Sequence, residues 1–335
     1  MTTDLALPPN AARLDELYAE LGRLNMEAGW HKTEPSMYPT PKKKFVPAHW
    51  SYGAAHRMLA SAKELVATAD AERRNLILYN PIPGNTYGTA PTLVAAYQMI
   101  KGHEVARSHR HTANAMRFIL DAGPKAYTVV EGKKVPMEPG DVLLTPNWLW
   151  HGHSNDGADD AYWIDVLDAP LTHLLGPMFF QQYAGDFVQA AAGVAADSPF
   201  RFPFARYAER LKQQPETPAG LREVLVGPPF IDTIRIKWRV FAPKAAYSER
   251  ETTANCIYAV KAGTGRVECD GTQFRFERGD VFVIPAWRRV EWQVKDESYL
   301  LRVSDENLLE KLNWLKTTEP GSEMEHAGNW PRATF

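Results

Sequence analysis

The spacing of hydrophobic residues changes near Leu76. Upstream of this point the spacing is helical. Apolar residues recur at steps of three and four in one segment, at Leu14, Leu17, Tyr18, Leu21 and Leu24. This pattern predicts a helix over 11–30, followed by a proline-rich extended stretch over 35–47 and a second helix at about 54–67.

From Leu76 onward, short apolar runs alternate with Gly, Pro, Asn and Asp. Examples are TLVAAYQMI (92–100), KAYTVVEGKKVPMEPGDVLLTP (125–146) and AYWIDVLD (161–168). Many short strands separated by turn residues at this spacing are typical of an antiparallel barrel or sandwich. The region after Leu76 is therefore predicted to be all-β.

An internal repeat divides this region into two units. EGKKVPMEPGDVLLTPNWLWHGH (131–153) aligns without a gap with DGTQFRFERGDVFVIPAWRRVEW (270–292), and the shared Gly, Gly-Asp, Pro and Trp residues are each 139 positions apart. Further upstream, TANAMRFILDAG (112–123) resembles TANCIYAVKAG (253–263). Such self-similarity indicates two copies of one β architecture, at about 90–170 and 235–305.

The predicted organisation has five parts, and a chain of 335 residues is long enough for all of them. A helical and extended arm (1–85) precedes a first barrel (86–170). A connecting segment rich in Phe, Pro and Gly (171–234) leads to a second barrel (235–315). A polar tail (316–335) follows.

Charge and composition narrow the classes of partner. The formal net charge is -2, with 44% hydrophobic and 23% charged residues, as in a soluble folded protein. No broad positive field exists to attract nucleic acid or an anionic membrane, so neither is expected as a partner. The one basic run, Lys42 to Lys44, is interpreted as a solvated loop, with a docking site as the less favoured alternative. Cys256 and Cys269 are expected to be reduced thiols, with pairing across a hairpin as the alternative.

The N-terminal sequence argues against export. MTTDLALPPNAARLDELYAEL has acidic residues where a signal peptide needs a basic start and a long apolar run. No stretch approaches the roughly 18 to 20 apolar residues of a membrane helix. We therefore expect a soluble protein located in the cytoplasm.

Four histidines in the first unit carry the strongest chemical signal. His109 and His111 are separated by one residue, as are His151 and His153, and a Gly-Asp hairpin lies between the two pairs. Residues two apart on a strand point to the same side, so the first pair and an imidazole from a neighbouring strand can meet inside a barrel. A lone barrel histidine is more often structural, whereas two such pairs favour a metal site.

The second unit acts as an internal control for this interpretation. At the repeat offset the four histidines are replaced by Ser248, Arg250, Val290 and Trp292. No histidine occurs between His173 and His326. The second barrel is therefore interpreted as a scaffold or an oligomer surface.

These motifs resemble a known family. The order G(x)6HxH, PGD and P-x-W-x-x-H resembles the two cupin motifs, and GDVLLTPNWLWHGH with YWIDVLD resembles the bicupin gentisate and salicylate 1,2-dioxygenases. The resemblance covers most of the chain, including the arm, and implies two jelly-roll β-barrels.

By that resemblance His109, His111 and His151 are ligands of Fe(II). Ala115 and Met116 stand where many cupins have a glutamate, which fits the three-histidine subgroup and argues against a manganese oxalate decarboxylase.

The resemblance also assigns roles around the metal. His153 is expected near the substrate hydroxyl as acid, base or orienter, with support of a metal ligand as the alternative. Arg117 matches an arginine that contacts substrate or bound oxygen. Since a buried guanidinium needs an anionic partner, a structural pairing with Asp165 is its alternative. Asp165 matches an aspartate that supports His153 or Arg117.

A carboxylate-binding arginine is expected in AERRNLILYNP. Either Arg73 or Arg74 matches it, and an exposed pair is the alternative. Asp168 is interpreted as a capping or turn residue. His103 and His173 lack partners at ligand spacing and are interpreted as structural.

Several positions bear on the substrate. Gln98 matches a family glutamine beside the substrate. Val94 stands where the family usually has Trp or Tyr, Ala96 where it has Gly, and Ala113 where it has Gln. Because Val94 would widen one wall of the pocket, a substituted salicylate such as 5-nitrosalicylate is favoured, with gentisate as the close alternative. The motif HGHSND is also nearer to the salicylate type than to the HDH form of gentisate enzymes.

The implied reaction takes a 2-hydroxybenzoate and O2 and cleaves the ring between the carboxyl-bearing and hydroxyl-bearing carbons. The alternatives are another cupin metalloenzyme, such as a sugar isomerase or a diketone-cleaving dioxygenase, and a non-catalytic binding protein. The confinement of the histidines to one barrel argues against the last of these. The resemblance further implies a homotetramer.

Overall fold

The computed structural model describes residues 11–32, 36–38, 41–71, 73–185, 188, 193–227 and 231–318. It divides into two compact units, one comprising Met1–Lys42 with Gly321–Phe335 and the other Lys43–Pro320. Among the described residues, no helix has the length and apolar character needed to cross a bilayer.

The smaller unit contains helix α1 (Ala11–Arg23), which ends before the predicted limit of residue 30. Asn25 adopts a left-handed backbone conformation with φ 56°. The amide of Met26 then donates to the carbonyl of Leu21 at 2.8 Å. This is the pattern of a Schellman ending, in which Asn is tolerated because it enters the left-handed region more readily than most residues.

The larger unit begins with the segment that precedes the first barrel. Its elements are β1 (Ala48–Trp50), α2 (Tyr52–Leu65), α3 (Thr68–Ala71) and β2 (Arg74–Ile77). Helix α2 starts two residues earlier than predicted because Ser51 takes the N-cap position and accepts a hydrogen bond from the amide of Ala54.

The remaining elements follow the order of the repeat. The first barrel contains β3 (Val94–Ile100), β4 (Val105–His111), β5 (Ala115–Asp121), β6 (Ala126–Val130), β7 (Lys133–Pro136), β8 (Val142–Thr145), β9 (His151–Asn155) and β10 (Ala161–Leu167). The connection contains α4 (Ala169–Leu175), β11 (Phe180–Gln182), β12 (Arg201–Phe202), α5 (Phe204–Lys212) and β13 (Leu221–Leu225). The second barrel contains β14 (Arg235–Phe241), β15 (Ala246–Glu249), β16 (Cys256–Ala262), β17 (Gly265–Cys269), β18 (Thr272–Phe276), β19 (Val281–Ile284), β20 (Val290–Val294) and β21 (Ser298–Ser304), followed by α6 (Glu306–Lys311).

Each barrel is a jelly roll of two antiparallel sheets. The first barrel has sheets in the order β12-β8-β5-β10-β3-β2 and β11-β4-β9-β6-β7, and the second has β1-β19-β16-β21-β14-β13 and β15-β20-β17-β18. The two six-stranded sheets contribute to one large apolar core. In this core the ring centroids of Phe118 and Trp238, one from each sheet, are 5.6 Å apart. The mostly β architecture with two similar units, predicted from the repeat, is therefore confirmed, as are the two jelly rolls that the family resemblance implied.

The repeat also appears in the turns. Glu131 and Gly132 both have positive φ between β6 and β7, as do Asp270 and Gly271 between β17 and β18. Two-residue hairpins of this kind match the twist of the flanking strands.

A second kind of correspondence was missed at the sequence level. Asp141 accepts a hydrogen bond from the amide of Phe204 at the start of α5, and Asp280 accepts one from the amide of Tyr52 at the start of α2. The preceding strands pair equivalently, β12 with β8 and β1 with β19. Thus a strand–helix segment lies on each barrel, and the one on the second barrel comes from the N-terminal arm.

Candidate metal centre and active site

Two neighbouring strands of the first barrel carry the three predicted ligands. On β4 and β9, His109 lies opposite His151, next to a bulge that follows Ala106. His111 is two residues further along β4 and faces the same side. The ligand nitrogens of the three residues all lie within 4.8 Å of one another. The structure therefore brings the three histidines together as one group that can hold a metal ion.

Backbone contacts fix which nitrogen of each ring is available. Each Nδ1 lies at hydrogen-bonding distance from a carbonyl oxygen two residues away: Arg107 at 3.2 Å for His109, Ala113 at 2.7 Å for His111 and Leu149 at 2.9 Å for His151. A carbonyl oxygen only accepts, so Nδ1 carries the proton and Nε2 keeps its lone pair. Three convergent Nε2 atoms with oriented rings form a donor set that fits a divalent metal.

Electrostatics keep these rings neutral. Burial lowers the pKa of His109 to about 3, helped by the positive charges of Arg73 and of His111 when protonated. Burial likewise lowers the pKa of His111 and puts that of His151 well below its usual value. At neutral pH the imidazoles are therefore unprotonated at Nε2 and need not lose a proton before binding a cation.

A buried ion pair lies on the opposite sheet. On β5 and β10, Arg117 is in register with Asp165, which is also in register with Ala96 on β3. Arg117 donates from Nε to Oδ1 of Asp165 at 2.8 Å and from Nη2 to Oδ2 at 2.7 Å. This bidentate geometry supplies the anionic partner that a buried guanidinium requires.

The same arginine fixes the tautomer of His153. Arg117 Nη1 donates to Thr128 Oγ1 at 2.8 Å and to His153 Nδ1 at 2.7 Å. Because a guanidinium cannot accept, His153 Nδ1 is the acceptor and the proton of the neutral ring resides on Nε2. Burial and the adjacent Arg117 hold the pKa of His153 well below its usual value.

The Nε2 atom of His153 is one of five buried side-chain nitrogen atoms that lack a hydrogen-bond partner among the described residues. It is buried and has no hydrogen-bond partner there, and the ring centroid lies 6.1 Å from that of His151. An unsatisfied buried donor is costly unless something else accepts from it. His153 therefore presents one N–H group to a ligand beside the histidine triad.

The two candidate arginines separate clearly. Arg74 is buried, donates to the carbonyl of Val66 at 2.9 Å and pairs with Glu104. Arg73 instead donates to Oε1 of Gln98. Its positive charge also lowers the pKa values of His109, His111 and His153. The structure thus brings Arg73 and Gln98, and not Arg74, to the histidines.

Three residues predicted to border the substrate lie on β3. Val94, Ala96 and Gln98 alternate along β3 and share one face. Val94 belongs to a small apolar cluster with Ala113 and Ala169, against which Tyr87, Leu167 and Met178 pack.

The other histidines and Asp168 lie outside this group. His103 is a turn residue with φ 64°, and the ring of His173 lies 5.3 Å from that of Tyr87. Asp168 occupies the N-cap position of α4, and its carboxylate binds the backbone and side-chain amides of Asn114.

Two site residues were not predicted from the sequence. Thr128 contacts both Arg117 and His153, and a threonine on a strand carries no signal for such a contact. The ring of Trp163 lies 4.8 Å from the guanidinium of Arg117 and 5.7 Å from the ring of His153. Its position two residues before Asp165 on β10 was a usable signal, because both side chains share a face.

The fold and this site define a bicupin with a candidate metal centre in its first barrel. The family described as Cupin domain matches residues 96–167. The 5-aminosalicylate 1,2-dioxygenase of Comamonas sp is 30% identical over 331 residues, covering 89% of this chain and 88% of that protein. Gentisate 1,2 dioxygenase 1 of Aquipseudomonas alcaligenes is 28% identical and covers 89% and 94% of the two chains.

Comparison with solved structures gives the same class of protein as the sequence comparison. The salicylate 1,2-dioxygenase of Pseudoaminobacter salicylatoxidans, as a variant in complex with gentisate, superposes with a TM-score of 0.85 at 27% identity, covering 96% of this chain and 99% of that one. The chain belongs to the gentisate and salicylate 1,2-dioxygenase family of bicupin ring-cleaving enzymes.

Proposed function

We propose that the protein is an Fe(II)-dependent dioxygenase that cleaves a 2-hydroxybenzoate between its carboxyl-bearing and hydroxyl-bearing carbons. The observation that carries the proposal is the convergence of three unprotonated Nε2 atoms beside the unsatisfied Nε2–H donor of His153. Iron(II) bound by His109, His111 and His151 would supply the redox chemistry with O2. The chain's own residues would bind, orient and desolvate the aromatic acid.

Arg73 is the proposed carboxylate-binding residue. The positive charge of Arg73 helps to lower the pKa of His109. The hydrogen bond from Arg73 Nε to Oε1 of Gln98 orients the guanidinium group. A guanidinium beside an anionic carboxylate forms a charge-assisted hydrogen bond, which is stronger than a neutral one. Arg74 is held by Val66 and Glu104 and is proposed to be structural.

His153 is proposed to act on the substrate hydroxyl. Its Nε2–H group donates to the phenolic oxygen and holds the aromatic ring in one orientation. Arg117 and Asp165 are then positioning residues that act through His153. Arg117 uses four of its five N–H groups on Asp165, Thr128 and His153, which supports this role over direct contact with substrate.

The proposed substrate is a salicylate with a substituent at the 5-position, of the 5-nitrosalicylate type. Val94, Ala96 and Ala113 have small side chains, and Val94 shares a buried apolar cluster with Ala113 and a face of β3 with Ala96. The similarity to a 5-aminosalicylate enzyme over 89% of the chain supports the same class. Gentisate, which also has a 5-substituent, remains the close alternative.

The test is O2 uptake with ultraviolet spectra, after anaerobic loading with Fe(II). Gentisate, salicylate, 5-nitrosalicylate and 5-aminosalicylate are compared in parallel, with His111→Ala as the blank. Uptake of one O2 per molecule of one acid, abolished in the blank, is the expected result. If iron binds at one per chain and none of the acids consumes O2, the proposed reaction is wrong and another cupin chemistry applies.

We further propose that the enzyme is a cytoplasmic homotetramer. The exposed apolar side chains of Leu174, Leu175, Phe179 and Phe180 support assembly, because such patches are normally covered in soluble proteins. Light scattering coupled to size exclusion should give four times the 37.7 kDa chain mass. A monomeric mass would contradict the assembly and leave the catalytic proposal intact.

A further inference from the structure

We propose that the second barrel contains a binding site for a small oxyanion, at the place where the first barrel holds its histidine group. Strand pairing defines the correspondence. Glu249 lies opposite Val290 on β15 and β20, as His109 lies opposite His151 on β4 and β9. The proposal concerns a different site from the ring-cleaving centre and does not depend on it.

A cavity of about 260 Å³ is present at this place. It is smaller than the roughly 300–1,000 Å³ of sites for drug-sized ligands, so its ligand is small. The charged residues of its lining are four cations and two carboxylates: Lys237, Arg239, Arg250, Arg302, Glu249 and Glu306.

The two carboxylates are already used by two of the cations. Arg239 donates to both oxygens of Glu249 at 2.8 Å. Arg302 donates to both oxygens of Glu306, at 2.7 and 2.9 Å. Neither glutamate is therefore available as the main partner of a third or fourth cation.

Two cations of the lining have no close partner, and with Glu223, which pairs with Arg239 at 2.6 Å beside the cavity, the group keeps a surplus of one positive charge. Among the described residues, Lys237 and Arg250 line the cavity without a hydrogen bond or ion pair to any neighbour. Arg302 also keeps its Nε buried and without a hydrogen-bond partner in that part of the chain. A small cavity with surplus positive charge raises the local concentration of anions.

The ligand class follows from this surplus. An oxyanion with several acceptor oxygens would bind both Lys237 and Arg250, and the hydroxyl group of Thr252 in the lining adds a hydrogen-bond donor. A short dicarboxylate and a phosphate share this chemistry. The experiment distinguishes them by titrating maleate and inorganic phosphate separately.

The test is calorimetric titration of the iron-loaded enzyme with each anion up to about 20 mM, a concentration that saturates even a millimolar site. Arg250→Ala and Lys237→Gln are the test variants. Arg289→Ala is the matched control, since it removes an exposed arginine from the same barrel. Thermal unfolding and O2 uptake are followed for every variant.

We expect binding of at least one of the two anions, weakened roughly tenfold or more in Arg250→Ala and in Lys237→Gln. Arg289→Ala should bind as the unmodified protein does, and O2 uptake should be retained in all three variants. Absence of binding by both anions, or binding with equal affinity in the test and control variants, would overturn the proposal. If the unmodified enzyme consumed no O2, that result would contradict only the dioxygenase proposal.

Discussion

The two barrels share a framework and differ in how their interiors satisfy polar groups. Both have the two-residue hairpin with positive φ and the turn aspartate that binds a helix start. In the first barrel, the ligand nitrogens of three histidines converge, and the Nε2–H of His153 beside them has no hydrogen-bond partner among the described residues. In the second barrel, the place of His153 is filled by Trp292, which donates to Glu249 at 3.2 Å.

This difference shows that a few positions separate a group of neutral imidazoles from a group of ion-paired side chains. Glu249 is enclosed by Arg239, Tyr258 and Trp292. Glu249 therefore already has a cationic partner and needs no metal ion. Neutral imidazoles that point at one another need a cation to become stable together.

The largest expected effect comes from replacing a predicted metal ligand of the first barrel, and its counterpart in the second barrel serves as the control. His111 and Thr252 are equivalent, since each carbonyl accepts from the amide of the tryptophan in the shared Pro-x-Trp motif. His111→Ala should lower iron content and O2 uptake by more than about 100-fold, because even outer partners of metal ligands are worth 10–100-fold. Thr252→Ala should change neither quantity.

The next comparison breaks the buried ion pair of each barrel. Asp165→Asn should reduce the free energy of unfolding by about 3–5 kcal/mol, because it leaves Arg117 buried without its anion. Glu249→Gln should reduce it by less, because Arg239 keeps its ion pair with Glu223. Only Asp165→Asn should lower kcat, since Arg117 then no longer fixes His153. Denaturant titration and steady-state O2 uptake measure the two effects. An equal loss of kcat in Glu249→Gln would contradict the separation.

A smaller effect is expected on specificity. Val94→Trp should reduce kcat/KM for 5-nitrosalicylate relative to salicylate by roughly 10- to 100-fold, the range in which a pocket discriminates by size. Arg235 on β14 is the counterpart of Val94 in the second barrel. Arg235 pairs with Ser304 across the sheet, and Val94 pairs with Leu167 in the same way. Arg235→Trp should leave the ratio of the two substrates unchanged. If the ratio in Val94→Trp is also unchanged, Val94 does not border the ring.

The smallest effect concerns acid stability of the second barrel. Burial opposes ionisation of Glu249 and Glu306, but Arg239 and Arg302 outweigh it and lower both pKa values to about 2. Since these pKa values are depressed on folding, their stabilisation is complete above about pH 4.5 and declines as the pH falls toward 2. Urea unfolding from pH 5 to pH 3 should show a shallower loss in Glu306→Gln than in Glu209→Gln, which alters an exposed carboxylate.

Much of this architecture was predictable because its signals are local. The HxH pairs, the Gly-Asp turns and the repeat are short patterns with fixed geometric meaning. The choice between Arg73 and Arg74 was not predictable, because it depends on where Val66, Gln98 and Glu104 lie in space.

The second-barrel counterpart of His109 also lies one residue away from the position that the sequence repeat predicts. The β4 strand carries a bulge after Ala106, so Glu249, and not Ser248, stands opposite the equivalent of His151. A bulge inserts one residue without a strong local sequence signal. The assembly of β1 and α2 on the second barrel depends on contacts more than 200 residues apart, which no local pattern encodes.

The pairing of β1 with β19 has a consequence for the order in which the chain folds. Trp50 pairs with Val281, so the N-terminal strand cannot find its partner until nearly the whole chain has been synthesised. Meanwhile the first barrel has an apolar sheet face whose cover comes from the second. Contacts this distant in sequence slow folding and leave incomplete chains prone to aggregation. The half that carries the histidine group is thus not a separable module, and a chain that ends after residue 170 lacks about half of the residues of this core.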